Sequence, residues 1–300
     1  QRVMMVVPIT ADPKTIGMLL AWAQRSLERS GSTNASQEAL WLLAYAFGMK
    51  HHELASRREQ AVSAEGLARA ESVVSRRVAH EPLQYILGTQ EFCGLDFDVN
   101  SAVLIPRPET ELLVQETLKE GRFVEGAVVV DVGTGSGCVA VTLATILSDM
   151  RIFALDCSGD ALTVAKNNAE RHGVSNKITW KEGDLLFPLR ECHLVGAVDA
   201  IVSNPPYIAE EVWAGLQPEV RDFEPRLALV AGQSGTEFHE RLLHDARQFL
   251  VPGGLLVMEL GQGQAPCVRR AAEQAGGYTG LQTVNDEAGI ERVMIARRAG

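Results

Sequence analysis

The apolar run Val128-Val129-Val130 passes into Asp131-Val132-Gly133-Thr134-Gly135-Ser136-Gly137 and then directly into a helical pattern. That succession leaves few folds open. Glycine reaches left-handed φ values without steric cost, so three glycines in five positions predict a sharp turn whose backbone lies open to a ligand. A buried strand, a tight turn and a helix in that order begin a parallel α/β unit. From Gly126 onward the alternation repeats. Strands are predicted at 128–132, 152–156, 178–180, 200–202 and 255–260, and helices separate most of them, as a doubly wound sheet requires.

The first ninety residues carry a different period. Ile16, Leu19, Leu20, Ala23 and Leu27 recur at helical spacing and Gly31 ends the pattern. A second helix, entered through Ser36, holds Ala39, Leu40, Leu42, Leu43 and Phe47 and stops near Gly48. A third, with Ser63 as its N-cap, holds Leu67, Ala70, Val73, Val74 and Arg77. These predict a small helical bundle ended by the segment 82–88. Residues 92–99 then alternate apolar and polar side chains, which predicts a strand or hairpin. Pro106 and Pro108 break any helix before a new one begins at Glu109. The expected organisation is a helical N-terminal domain over 1–80, a hairpin-bearing linker over 81–108 and a catalytic domain over 109–300.

The glycine spacing, G-x-G-x-G, differs from the G-x-G-x-x-G of dinucleotide sites, because the residue three after Gly135 is Cys138. The shorter form suits a nucleoside ligand without a pyrophosphate. The second strand ends in Asp156, twenty-three residues after Gly133, where a carboxylate can accept both ribose hydroxyls. Asp184 and Leu185 follow the third strand, placed to hold an adenine amino group and ring. In this order the elements favour S-adenosylmethionine, leaving S-adenosylhomocysteine as product, over a nicotinamide cofactor. Gly133, Thr134, Gly135, Ser136, Gly137, Asp156, Asp184, Leu185 and Asn204 are the expected cofactor residues.

The fourth strand runs into Ser203-Asn204-Pro205-Pro206-Tyr207, at the strand end where open α/β sheets bind ligands. Two prolines fix two φ angles and remove two backbone donors, so carbonyls face the site without competing N–H groups. The Asn204 side-chain oxygen and the Pro205 carbonyl can accept the two hydrogens of an NH2 group, and Tyr207 offers a flat face for a planar acceptor. An amide nitrogen is a poor nucleophile because its lone pair is delocalised. Two acceptors on its hydrogens hold it for in-line methyl transfer, where positioning supplies much of the acceleration. Asn204, Pro205, Pro206 and Tyr207 are therefore the expected catalytic and substrate-binding residues. Arg107, stiffened between two prolines, is a further substrate-binding candidate or a partner for Glu109.

Charge narrows the acceptor. Residues 1–90 carry 10 Lys/Arg against 8 Asp/Glu, and the remainder 18 against 30. An acidic catalytic domain repels a phosphate backbone, so direct nucleic-acid binding is not expected. Five scattered cysteines, an odd number with no C-x-x-C pair, suit reduced thiols and the cytoplasm and predict no metal site. No run approaches the ~18 apolar residues of a membrane span. Residues 4–9 are apolar but contain Pro8 and precede no cleavage pattern, so neither a signal nor a transit peptide is expected.

From Glu81 to Arg297 the chain resembles the HemK/PrmC family, the glutamine N5-methyltransferases of peptide chain release factors. The resemblance rests on Glu81-Pro82-Leu83-Gln84-Tyr85-Ile86-Leu87-Gly88, Glu91-Phe92, Leu104-Ile105-Pro106-Arg107-Pro108-Glu109-Thr110, the glycine loop, Asn204 to Tyr207, Arg221-Asp222-Phe223-Glu224-Pro225 and Gly289-Ile290-Glu291-Arg292. The N-P-P-Y tetrapeptide alone is shared with adenine N6-methyltransferases; Leu104 to Thr110 together with Arg221 to Pro225 is much more specific. The resemblance implies an α/β fold, a seven-stranded Rossmann-like S-adenosylmethionine methyltransferase domain preceded by a small all-α domain of five helices or similar. It implies a release factor as partner and, as acceptor, the glutamine of its Gly-Gly-Gln loop. It also implies that Gly133 to Gly137, Asp156, Leu185 and Asn204 bind cofactor and that Asn204 to Tyr207 bind the glutamine. The alternatives are an N-methyltransferase acting on an exocyclic amino group of a nucleic-acid base and a non-catalytic, translation-associated binding module. Residues 1–80 match no motif and are expected to dock the partner.

Overall fold

The computed structural model describes residues 15–300; the apolar stretch 4–9 lies outside them. The chain divides into two compact units. One comprises residues up to Gly88 together with Gln217–Phe223; the other comprises Thr89–Leu216 and Glu224–Gly300.

In the first unit, α1 (Ile16–Ser30) places Ile16, Leu19, Ala23 and Leu27 in the core and ends at Gly31, whose φ of 95° turns the chain out of the helix. α2 (Ala35–Phe47) ends in the same way at Gly48, but it begins one residue before the expected Ser36, with Asn34 at the N-cap position. α3 (His51–Ser56) is a short helix with no expected counterpart. α4 (Ala64–Val78) starts at Ser63, whose hydroxyl accepts the Gly66 amide at 3.1 Å. The Arg77 guanidinium lies buried on this helix, 2.9 Å from Glu38 and 2.8 Å from Glu219.

The segment expected to end the bundle is instead a fifth helix, α5 (Leu83–Leu87), whose Leu83 and Ile86 join the helical core. The division therefore falls between Gly88 and Thr89 rather than near residue 80, and the anticipated linker 81–108 is shared between the units. Helices of one or two turns show too little periodicity to be read from pattern alone.

The second unit opens with a hairpin, β1 (Thr89–Phe92) and β2 (Leu95–Asp98). Cys93 and Gly94 form its turn, both at positive φ (51° and 76°), the twist that a two-residue hairpin loop needs. Phe92 and Phe97 meet edge to face at 6.0 Å and bury against α6 (Pro108–Glu120) through Leu113 and Val114.

The remaining elements are β3 (Val128–Val132), α7 (Cys138–Ile146), β4 (Arg151–Asp156), α8 (Gly159–Arg171), β5 (Ile178–Glu182), β6 (Val198–Ser203), β7 (Ile208–Ala209), α9 (Pro218–Phe223, in the helical unit), β8 (Val230–Gly232), α10 (Glu237–Phe249), β9 (Leu250–Glu259), α11 (Ala265–Ala275), β10 (Tyr278–Asn285) and β11 (Glu291–Arg298). Seven strands form one sheet in the order β10-β11-β9-β6-β3-β4-β5, with β11 antiparallel to both neighbours and the rest parallel. Val128, Val130 and Val132 face a core closed by α10 and α11. Val129 faces the opposite one, closed by α6, α7 and α8. This is the period-two alternation of a strand covered on both faces. β10 carries Gly280 at positive φ and an interrupted register, so it lacks the clean alternation that marks a strand in sequence. Among the described residues no helix is long and apolar enough to cross a membrane.

Strand order reverses at β3, which has β4 on one side and β6 on the other. The crevice beyond the carboxyl ends of such strands is where open α/β sheets hold ligands. Val132 pairs with Ser203, and the Ser203 hydroxyl donates to the Val132 carbonyl at 2.7 Å. The glycine loop and Asn204 therefore leave the sheet side by side.

Candidate active site

One cavity opens at this switch point. Gly133, Thr134, Gly135 and Ser136 line it, as do Asp156, Asp184, Leu185, Asn204, Pro206 and Arg107. Gly137, Pro205 and Tyr207, also expected at the site, are not among its lining residues. Gly137 has φ 81° at the start of α7, and a Cβ there would lie 3.0 Å from that of Ala165. Its lack of a side chain serves helix packing. Pro205 is buried. Tyr207 is half-buried, and burial pushes its phenol up to about 12.

The loop is held by two acids. Asp131, fully buried at the end of β3, accepts the Thr134 hydroxyl at 2.7 Å and the Ala140 amide at 3.1 Å. Burial raises its carboxyl to about 7 against the pull of those two bonds, and neighbouring Asp156 adds to the rise. Asp156 accepts the Gly135 amide on one oxygen and the Ser158 amide on the other, each at 2.9 Å. Burial holds its carboxyl above the usual range, opposed by those amides. The Cys157 amide and thiol also bond this carboxylate, so with about four lone-pair sites it must share or release one to receive a ribose hydroxyl. Leu185 sits at φ 45°, a conformation costly for a branched side chain and found where the fold demands a particular placement. The Asp184 carboxylate is paired with Arg241, so the adenine contact expected of it competes with an ion pair.

The other wall is built from side chains far apart in sequence. The Asn204 Nδ2 donates to the Thr110 hydroxyl at 3.0 Å, and Thr110 donates to Glu259 Oε2 at 2.6 Å. Thr110 and Glu259 are 2 % and 1 % exposed. Burial lifts the Glu259 carboxyl to about 7, while the Thr110 bond opposes the rise. Arg107 pairs at 2.5 Å with Glu224, not with Glu109, and Glu224 also accepts the Ile105 amide at 3.3 Å. Glu109 stands in the first turn of α6, where an acid suits the helix dipole. Behind the Asn204 loop, Gln264 donates to the carbonyls of Tyr207 (2.8 Å) and Gly235 (3.1 Å) and accepts the Gly261 amide at 2.9 Å.

Sequence reading gave no role to Asp131, Thr110, Glu224, Glu259 or Gln264. Glu259 did leave a signal: an acid inside Leu255-Leu256-Val257-Met258-Glu259-Leu260 is a charge in an otherwise apolar strand, and such acids are paired or functional. The two walls together suit a nucleoside on the glycine side and an NH2-bearing acceptor at Asn204. Left-handed glycines admit a close ligand, Asp156 brings a carboxylate to the cavity lining and Leu185 is apolar, so the residues present fit S-adenosylmethionine.

Comparison with known proteins identifies the family. A family model described as the PrmC N-terminal domain matches residues 18–88, and one described as the methyltransferase small domain matches residues 97–215. Release factor glutamine methyltransferase from Geobacter sulfurreducens is 43 % identical over 94 % of this chain and 96 % of its own length. That from Moorella thermoacetica is 40 % identical over 95 % and 99 %. Among solved structures, the hMettl16 catalytic domain in complex with an RNA hairpin from the MAT2A 3'UTR aligns with a TM-score of 0.55 at 19 % identity, covering 74 % of this chain and 81 % of that one; this shows a shared methyltransferase fold. With identity of this order along nearly its whole length, the chain belongs to the release factor glutamine methyltransferase family.

Proposed function

We propose that the chain transfers a methyl group from S-adenosylmethionine to the side-chain amide nitrogen, N5, of the glutamine in the Gly-Gly-Gln loop of peptide chain release factors, acting in the cytoplasm and without binding nucleic acid directly. The observation that carries this reading is the Asn204 amide. It lines the same cavity as Asp156 and the glycine loop, and its NH2 is already engaged by Thr110. Its oxygen is left to accept an N–H from the acceptor. Bound in the glycine half, S-adenosylmethionine supplies an electrophilic methyl group on a sulfonium. Asn204 then orients the acceptor nitrogen, and the rigid Pro205-Pro206 backbone keeps the carbonyl before it free of competing donors. No strong base is needed before transfer, because the proton can leave the methylated product. Arg107, the candidate cation at the cavity wall, is neutralised by Glu224. That suits a neutral amide better than a phosphate-bearing acceptor.

Incubating the protein with methyl-labelled cofactor and intact release factor, followed by peptide mass spectrometry, tests the reading. The label is expected on the Gly-Gly-Gln glutamine. Label on RNA or DNA, or none on release factor, would overturn it.

Residues 1–80 dock the release factor in this reading, supported by their motif-free helical character beside a complete catalytic fold. A chain lacking them should bind cofactor as before but show a raised KM for intact release factor. An unaltered KM in a well-folded truncation sinks the docking role.

A further inference from the structure

The amide of an asparagine can face a substrate with either end. With its oxygen forward it receives an NH2 donor; with its nitrogen forward it favours a carbonyl or carboxylate. Asn204 lies at one end of a chain of hydrogen bonds, through Thr110 to Glu259. The far end is firmly placed, because His239 Nε2 bonds the Glu259 backbone carbonyl at 2.8 Å. An ionised carboxylate only accepts. Thr110 must therefore spend its single proton on Glu259, and its oxygen meets Asn204 as an acceptor. That takes the Asn204 NH2 and leaves Oδ1 for the cavity. With Glu259 protonated the polarity reverses: the acid donates to Thr110, Thr110 donates to Asn204 Oδ1, and the amide turns its nitrogen forward.

Resting on the function proposed above, we propose that Glu259, acting through Thr110, is a positioning residue that sets the Asn204 amide oxygen-forward and so makes the site select an NH2 donor over a carboxylate.

The charged and titratable groups around Glu259 are Glu109 on α6, which raises its carboxyl, and Arg292 on β11 and Arg107 before α6, which lower it. Tyr207, after β6, feels its charge, and burial lowers the imidazole of His239 on α10 below its usual range. Burial dominates and places the titration at about 7. The carboxylate form, and with it the oxygen-forward amide, is present above that point and is lost as pH falls through it.

The test compares the parent with Thr110→Val, Thr110→Ser and Glu259→Gln, each checked for folding by circular dichroism and assayed on intact release factor at saturating cofactor. Thr110→Val should lower kcat by about tenfold or more, the scale of one hydrogen bond in the transition state, with cofactor affinity unmoved. Thr110→Ser restores the hydroxyl and should restore the rate. Glu259→Gln, whose amide can donate to Thr110, should be slow and should lose an acid limb near pH 7 that the parent shows. Any limb owed to Asp131 in the glycine half persists in this variant. A release factor carrying glutamate in place of the reactive glutamine should compete better against Glu259→Gln than against the parent.

Hydrogen exchange of the Asn204 side-chain amide, followed by NMR, reads the orientation without any acceptor. Slow exchange in the parent should become fast in Thr110→Val. A folded Thr110→Val enzyme with kcat within twofold of the parent, equal amide exchange in the two, or an unchanged acid limb in Glu259→Gln would each overturn the proposal. A parent that protects the amide but leaves release factor unmethylated would overturn the function reading instead and leave the oxygen-forward setting standing.

Discussion

The two walls of the cavity are made in opposite ways. The glycine wall is assembled from backbone: the left-handed Gly133 and Gly135, amides of Gly135 and Ser158 on Asp156, and a turn at Leu185. Its partners lie at the ends of neighbouring parallel strands and are a few tens of residues apart at most. The Asn204 wall is assembled from side chains drawn together over long separations: Asn204 with Thr110, Thr110 with Glu259, Arg107 with Glu224. The first kind of wall depends on φ angles and the second on paired, buried polar groups, so they should fail differently.

The largest effect is expected where a buried charge loses its partner. Arg107→Met strands Glu224, whose side chain is 2 % exposed, and breaking such a pair costs about 3–5 kcal/mol. Chemical denaturation should show this loss, and cofactor affinity measured below the transition should be nearly unchanged. A stability within experimental error of the parent would show that Glu224 is served by the Ile105 amide alone.

Next comes Asn204→Ala. Losing one aimed polar contact costs roughly 2.7–4 kcal/mol in the transition state, by analogy with a deleted oxyanion-hole donor, or about 10²–10³ in kcat. Single-turnover methylation of release factor measures it. A folded variant within a few-fold of the parent would remove Asn204 from the mechanism.

On the opposite wall, Asp156→Ala should weaken cofactor binding by about 1.5–3 kcal/mol, the worth of hydrogen bonds to a charged group, and also loosen the Gly135 amide. Calorimetry decides this, and unchanged affinity would reduce Asp156 to a clasp for the loop. The smallest effect is expected from Gly137→Ala. The left-handed φ costs about 1–2 kcal/mol, with added crowding against Ala165. The measure is thermal stability, and a neutral result would mean that α7 can shift to accept the methyl group.

The same contrast explains what could be read before the fold was seen. The glycine wall is local, so its glycines, Asp156 and Leu185 announce themselves through spacing and strand order. The helices α1, α2 and α4 are equally plain, because each repeats its apolar stripe over several turns. α3 and α5 are too short to do so, and β10 is broken by Gly280 and a slipped register. Thr110 and Glu224 sit inside stretches that sequence reading had marked, yet nothing in either stretch says which distant residue it meets. Glu109 was the nearer candidate for Arg107; the fold brings Glu224, more than a hundred residues away, to within 2.5 Å.

α9 belongs to the helical unit although it is encoded far downstream of the rest. On the ribosome the first 88 residues emerge ~130 residues before Gln217–Phe223, an interval of roughly ten seconds at ~5–20 residues per second. Through that time Arg77 has Glu38 but not yet Glu219 as a partner. The helical unit, begun before the other, is thus completed only after the whole of Thr89–Leu216 has been made.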